Sequence, residues 1–258
     1  LSISSEDEIL IIEYSELALK QIIDLTIEQA IEIVRRRIDE TGTKEPLIQR
    51  QGTQRILIQL PGIDDPERIK SLLGKTAKLT FQLVDTNSNA FDVKSSGRVP
   101  PGKKLLESYS DDGQYFVVQR RVMVSGEMLT DARSSFDQNG RPSVSFSLTP
   151  EGGKRFGRVT ARNIGKPFAI ILDGKVVSAP VIQAQIFSSG QITGQFTVSE
   201  TKDLSLLLRA GALPAPLTVM EERSVGPGLG KDSVEAGKFA SIIGMILVII
   251  FMFFTYGI

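Results

Sequence analysis

The stretch 55-RILIQLPGIDDPERIKSLLGKTAKLTFQLVD-85 carries the reading of the fold. Arg55–Leu60 is strand-like, and with Leu47–Gln51 it flanks Gly52-Thr53-Gln54, a hairpin loop with glycine. Asp65 precedes Pro66 as a helix N-cap followed by a proline preset for the first turn, and Gly74 stops that helix. Leu79, Phe81 and Leu83 then alternate along a further strand. Upstream, Ile9–Tyr14 reads as a buried strand, and Ile27, Ala30, Ile31, Val34 and Ile38 mark one face of a long helix. Thr26 with Gln29 could form a capping box where that helix begins or bends, and Gly42 sits at its C-cap. The order strand, helix, strand, strand, helix, strand predicts an α+β chain opening on a ferredoxin-like split βαβ unit.

Between Thr86 and Lys104 the sequence turns to Asn, Ser, Pro and Gly, the chemistry of turns and linkers. A second set of elements follows: a strand over Tyr115–Val124, a hairpin turn at Asn139-Gly140, and a helix opened by Thr149-Pro150 and weakened by Gly152 and Gly153. A two-residue hairpin turn at Asp173-Gly174 completes the set. Gln191–Val198 predicts a strand, Ser199–Ala210 a helix ended by Gly211, and Leu217–Glu221 one more strand of the first unit. The expected organisation is thus a first unit over 1–86, an inserted α+β unit over 87–190, and a return over 191–224. A lead-in over 225–238 and an apolar helix over 239–258 come last. A unit interrupted by another meets it through two neighbouring chain crossings, which can act as a hinge.

The last stretch, 239-FASIIGMILVIIFMFFTYGI-258, holds no charged residue and is long enough as a helix to cross the hydrocarbon core of a bilayer. Tyr256 suits an interfacial position. Before it, Lys231, Asp232, Glu235 and Lys238 cancel, so no basic excess marks that flank as cytoplasmic. Asp232 and Glu235 could cap the helix with a capping box. The chain opens on Leu1 without a signal-peptide pattern and reads as a piece of a longer polypeptide.

Composition narrows the chemistry. Thirty basic residues balance thirty acidic ones, leaving no global field to draw nucleic acid. The sequence has no cysteine and no histidine, so thiol nucleophiles, Cys/His zinc sites and His-based triads are excluded. No cofactor or metal is expected. Gly226–Lys231 lacks the first glycine and the final hydroxyl of a Walker loop, with Val225 and Asp232 in their places. Arg35, Arg36 and Arg37 read as a solvated helix face, and Asp64-Asp65 and Asp111-Asp112 as turn or cap residues. A serine–lysine hydrolase needs no histidine, but Ser178 beside Lys175 lacks a glycine-rich elbow and an oxyanion donor. The expectation is a protein that is not an enzyme.

Five stretches in this order resemble the SecD/SecF family of protein translocase subunits. They are Ile31–Gly52, Arg55–Asp85, Pro167–Ile182 (PFAIILDGKVVSAPVI), Leu206–Leu217 (LLLRAGALPAPL) and Val225–Lys238 (VGPGLGKDSVEAGK). The resemblance implies that the split unit is the base of a periplasmic domain, that the inserted unit is its head, and that the final helix spans the bacterial inner membrane. It implies partnership with SecF, the SecYEG channel, unfolded preprotein and the lipid bilayer, in proton-gradient-dependent export during which the head moves against the base. Candidate preprotein contacts are the head residues Val176, Val177, Val181, Ile182, Ile186 and Phe187, and candidate hinge positions are Thr86, Phe91, Ser188 and Gln191. The alternative is a membrane-anchored periplasmic binding or scaffolding module with no moving part.

Overall fold

The computed structural model describes residues 2–6, 9–43, 45–63, 65–109, 113–223 and 228–256. Two compact units emerge, Leu1–Thr218 and Val219–Ile258. The first begins with an antiparallel pair, β1 (Ser2–Glu6) and β2 (Ile9–Glu13). Helix α1 spans Glu16–Glu40, capped by Ser15, whose side chain accepts from the Ala18 amide. It therefore starts well before Thr26, whose hydroxyl donates to the Ile22 carbonyl inside the helix. Ile27, Ala30, Val34 and Ile38 form its buried stripe, and Gly42 follows in the left-handed conformation.

Strands β3 (Leu47–Gln51) and β4 (Arg55–Gln59) form the expected hairpin, with Gln51 opposite Arg55. Helix α2 (Pro66–Gly74) starts on Asp65, which accepts from the Arg68 amide. Together with α1 these elements enclose a small core of Ala30, Val34, Ile38, Ile48 and Leu213, lined by Ile56, Ile58 and Leu217.

The next strand departs from the ferredoxin-like pairing. β5 (Leu79–Leu83) does not join β3–β4, which stays two-stranded. It lies between β11 (Phe168–Leu172) and β8 (Val124–Ser125) in a four-stranded sheet whose outer strand is β12 (Lys175–Ser178). All five β5 residues are buried, Thr80 and Gln82 included. A strand covered on both faces needs layers above and below it, and one helix over a hairpin offers only one. Leu79, Phe81 and Leu83 face the main core, and Val118, Ala169, Ile171 and Val176 pack on the other side of the sheet.

The segment expected to be linker holds a helix and a strand. Asn89 caps α3 (Ala90–Ser96), Gly97 ends it in the left-handed region, and β6 (Lys103–Glu107) pairs with β7 (Tyr115–Gln119). A three-stranded sheet follows, with β10 (Pro142–Leu148) between β9 (Leu129–Phe136) and β13 (Ser189–Thr193). The β9–β10 loop is five residues long, because Asp137 Oδ1 gathers the amides of Asn139 and Arg141. The Asp173-Gly174 turn is the expected two-residue one: both residues have positive φ, and Leu172 pairs with Lys175.

Helix α4 (Pro150–Arg162), capped by Thr149, uses its glycines for close approach. A Cβ at Gly153 would stand 2.3 Å from the Phe187 carbonyl oxygen. Helix α5 (Val198–Ala210) is opened by a full capping box between Thr197 and Glu200. Leu204 and Leu208 enter the main core, while Leu207 meets Leu72 and Ala77. At the centre of the main core Phe81, Phe146, Phe156 and Phe168 stack with centroids 5.5 to 6.3 Å apart.

Leu217–Glu221, expected as a strand, is irregular, since it follows Pro214 and Pro216 and no strand edge among the described residues takes it up. In the second unit, α6 runs over Gly228–Tyr256. It starts four residues before Asp232, so that residue is inside the helix and is not its N-cap. Within it Ala236–Phe253 is long and apolar enough to cross a membrane and is wholly unburied. An apolar helix of this length buried against nothing is unlike the core helix of a water-soluble protein.

Candidate functional site

Two places stand out, a cleft on the main lobe and the joint between the two cores. The cleft has a volume of about 610 Å³ and opens where β12 and β13, the outer strands of their sheets, approach each other. Gln191 and Thr193 of β13 line one side, Val177 and Ser178 of β12 another, and Asp137 and Arg141 of the β9–β10 loop lie at its rim. The outer edge of β12 is partly occupied: Ser108 bridges to Val176, and the Tyr109 amide donates to the Val176 carbonyl. β13 has β10 as its single strand partner among the described residues, so its other edge carries backbone groups an extended chain could pair with.

The six candidate preprotein residues do not form one surface. Val177 and Ile182 belong to the main core and Val176 to the layer on the opposite side of the sheet. Ile186 is half-buried against the main core. Val181 (54% exposed) and Phe187 (61% exposed) remain open to solvent, with the Phe187 ring lying over Gly157. Burial of Val176 and Val177 follows from the sheet: β12 is covered on both faces, so its alternation presents neither residue to water.

Ser178 Oγ is buried and has no hydrogen-bond partner among the described residues, while Lys175 Nζ pairs with Glu107 at 3.2 Å. The two side chains therefore do not form a dyad. Asp65 is the α2 cap; Asp64, Asp111 and Asp112 lie outside the described residues.

The expected hinge positions lie around the main lobe. Thr86 sits in the turn after Val84, which bridges to Val118, and Phe91 is an exposed residue of α3. The Ser188 carbonyl accepts from the Leu148 amide, and Gln191 Nε2 donates to Ser143 Oγ at 2.8 Å and to the Phe136 carbonyl at 3.1 Å.

The chain passes between the two cores elsewhere, at Lys75–Lys78 after α2 and at Gly211–Leu213 after α5. The Leu213 amide donates to the Thr76 carbonyl and ties the two passages together. Arg37, expected on a solvated face, is 0% exposed and reaches both. Its Nη1 donates to the carbonyls of Leu72 and Lys75, and its Nη2 to those of Thr76 and Gly211, the last two at 3.2 Å. Arg35 and Arg36 do point outward. Arg37 differs because it follows Ala30 by seven residues and Val34 by three, which places it in the apolar stripe. That spacing was the available signal.

A buried guanidinium is tolerated where its donors are used and negative partial charge surrounds it. Here the carboxyl ends of α2 and α5 both aim carbonyls at it. Burial pushes the Arg37 guanidinium down to about 10, the Asp173 carboxylate acting in the opposite direction, so it remains charged at neutral pH. Asp173 approaches the first passage from the other side. Its carboxylate accepts from the amides of Ala77 and Lys78, at 2.9 and 2.8 Å, and from the Thr76 hydroxyl. Ala77 has φ +58°, a left-handed conformation unfavourable for alanine by roughly 1–2 kcal/mol.

The family model for the SecDF P1 head subdomain matches residues 103–215, and that for the N-terminal part of the P1 domain of protein translocase subunit SecDF matches residues 27–86. The protein translocase subunit SecD of Rickettsia bellii is 49% identical over all of this chain and 50% of its own length. That of Rhodobacter capsulatus is 48% identical over 99% of this chain and 46% of its own. The chain thus spans about half the length of the curated relatives it matches. Among solved structures, one titled "Structure and function of a membrane component SecDF that enhances protein export" matches with TM-score 0.64 at 37% identity. It covers 79% of this chain and 94% of the matched one. A SecDF structure in a super-membrane-facing form gives TM-score 0.65 at 37% identity over 88% of this chain and 32% of the other.

Proposed function

The chain belongs to the SecD/SecDF family of protein translocase subunits, and from that premise we propose that it is part of an accessory subunit of Sec-dependent protein export, in which a head moves against a base outside the membrane. In this reading the soluble lobes stand in the periplasm, α6 crosses the inner membrane, and the full protein works with SecF beside the SecYEG channel. An extended preprotein segment is the substrate. The free edge of β13 beside the cleft suits such a segment, because main-chain pairing is indifferent to sequence, and exposed Val181 and Phe187 add adaptable apolar contact.

The observation that carries the reading is the division of the soluble lobe's apolar interior into a base core and a head core, bridged by a three-residue cluster of Leu72, Ala77 and Leu207. The joint then lies at Lys75–Lys78 and Gly211–Leu213. A scaffold with no moving part is the second reading, favoured by α5, which packs on both lobes and adds the ion pairs Arg68–Asp203 and Arg209–Glu40, each at 2.7 Å.

A reversible tether separates the two. Arg68→Cys with Asp203→Cys, in the full-length parent rendered otherwise cysteine-free, is joined by a short reducible bis-thiosulfonate. Export of a secreted reporter is then followed before and after reduction. The moving reading expects slowed export that recovers on reduction. Full export with the tether complete would sink it and leave the scaffold.

A further inference from the structure

Among the described residues Arg37 is the one buried charged side chain, and its partners are main-chain carbonyls. Its four acceptors are all main-chain carbonyls, and they come from three places: the end of α2, the first passage and the second passage. Asp173 grips the first passage through main-chain amides and the Thr76 hydroxyl, from a rigid two-residue turn at the tip of the head sheet. The passage Lys75–Lys78 is therefore held by a cation rooted in the base helix α1 and by an anion rooted in the head.

We infer that Arg37 and Asp173 are a paired clasp which sets the angle between head and base, by fixing the peptide planes of Lys75–Lys78 and Gly211 in a single arrangement. The inference rests on the head-and-base reading but needs no preprotein, channel or membrane potential.

The chemistry supports a positioning role for both residues. Guanidinium is a planar fork whose five donors are fixed in direction, so engaging four carbonyls restricts the rotations of the peptides that bear them. A lysine would deliver the charge without the fork. Asp173 oxygens hold the Ala77 amide and with it the left-handed Ala77, a conformation that relaxes once the anchor is lost. Each group thus removes torsional freedom from the same four residues. Among the described residues the buried apolar cluster at the joint is small, Leu72, Ala77 and Leu207.

The test is a distance distribution between spin labels at Gln49→Cys in the base and Glu151→Cys in the head, possible because the chain has no cysteine of its own. It is made on this chain with α6 held in detergent. The parent should give one narrow distance. Arg37→Met, unbranched and apolar but without donors, should broaden it and add a second maximum. Arg37→Lys should fall between, and Asp173→Asn, which keeps the turn geometry, should shift in the same direction as Arg37→Met.

Circular dichroism checks that each variant is folded, and a purely structural role would lower the melting temperature without altering the distribution of the folded molecules. An unchanged narrow distance in folded Arg37→Met overturns the clasp. Should Arg37→Met fail to fold, an unchanged distance in Asp173→Asn overturns it equally. Failure here with a positive tether experiment would leave the moving head standing and remove only its clasp.

Discussion

The two apolar cores solve one problem at different scales. The larger core groups four phenylalanines between two sheets and two helices, and β5 in its midst is covered on both faces. The smaller core is one helix laid on a two-stranded hairpin, with α2 and the post-α5 chain closing its end. A hairpin with one helix is near the lower limit of what burial alone can hold together. The smaller core accordingly borders α5 and the polar bonds around Arg37, where the larger one is closed by packing.

The strongest way to break that comparison is Phe81→Ala. Truncating a fully buried ring in a tight cluster should remove about 3–5 kcal/mol from unfolding in denaturant. Amide exchange read in the same variant sharpens it: protection should fall across β5, β10 and β11 and hold in β3–β4. Loss of β3–β4 protection in step with β5 would mean the two cores unfold as one.

Ile38→Ala, in the smaller core, should remove about 2–3 kcal/mol, at the lower end for such truncations because a thin layer relaxes more readily around the gap. Its exchange effect should be confined to α1, β3 and β4.

The smallest expected effect is at the start of α5, the helix both cores share. Thr197→Ala should lower stability by about 1 kcal/mol through the lost cap. Bonds from the Thr197 amide and then its hydroxyl hold the Glu200 carboxyl below its ordinary range. A depressed folded value means the contribution is present above the ordinary glutamate range and disappears as pH falls through the lowered one. The stability gap between the parent and Glu200→Gln, measured by thermal melting, should therefore be widest near neutrality and close in acid. A gap independent of pH would assign the cap's effect to its shape alone.

Local chemistry was legible from sequence wherever neighbours in the chain decide the outcome. Asp65-Pro66, Gly52, Asp173-Gly174 and Gly211 mark the ends and turns they were expected to mark. Asn89 and Gly97 carried the same kind of signal for α3, but the surrounding Ser and Pro residues read as linker. What failed was pairing at a distance. Nothing in Leu79–Leu83 says whether its partner is β4 nearby or β11 some ninety residues on, since both offer an apolar edge. Val176 and Val177 of β12 are buried for the same reason, because a strand's faces take their character from the layers that happen to cover them. Arg37 differs: its heptad distance from Ala30 was visible, and the triplet of arginines hid it.

The terminal helix carries one more consequence, in its length. Twenty-nine residues of α-helix measure about 43 Å, against about 30 Å of hydrocarbon. With the apolar window Ala236–Phe253 immersed, the surplus falls mostly at the end bearing Lys231, Asp232 and Glu235. If α6 crosses the bilayer as proposed, two of its helical turns would stand clear of the hydrocarbon as a stalk through the headgroup zone.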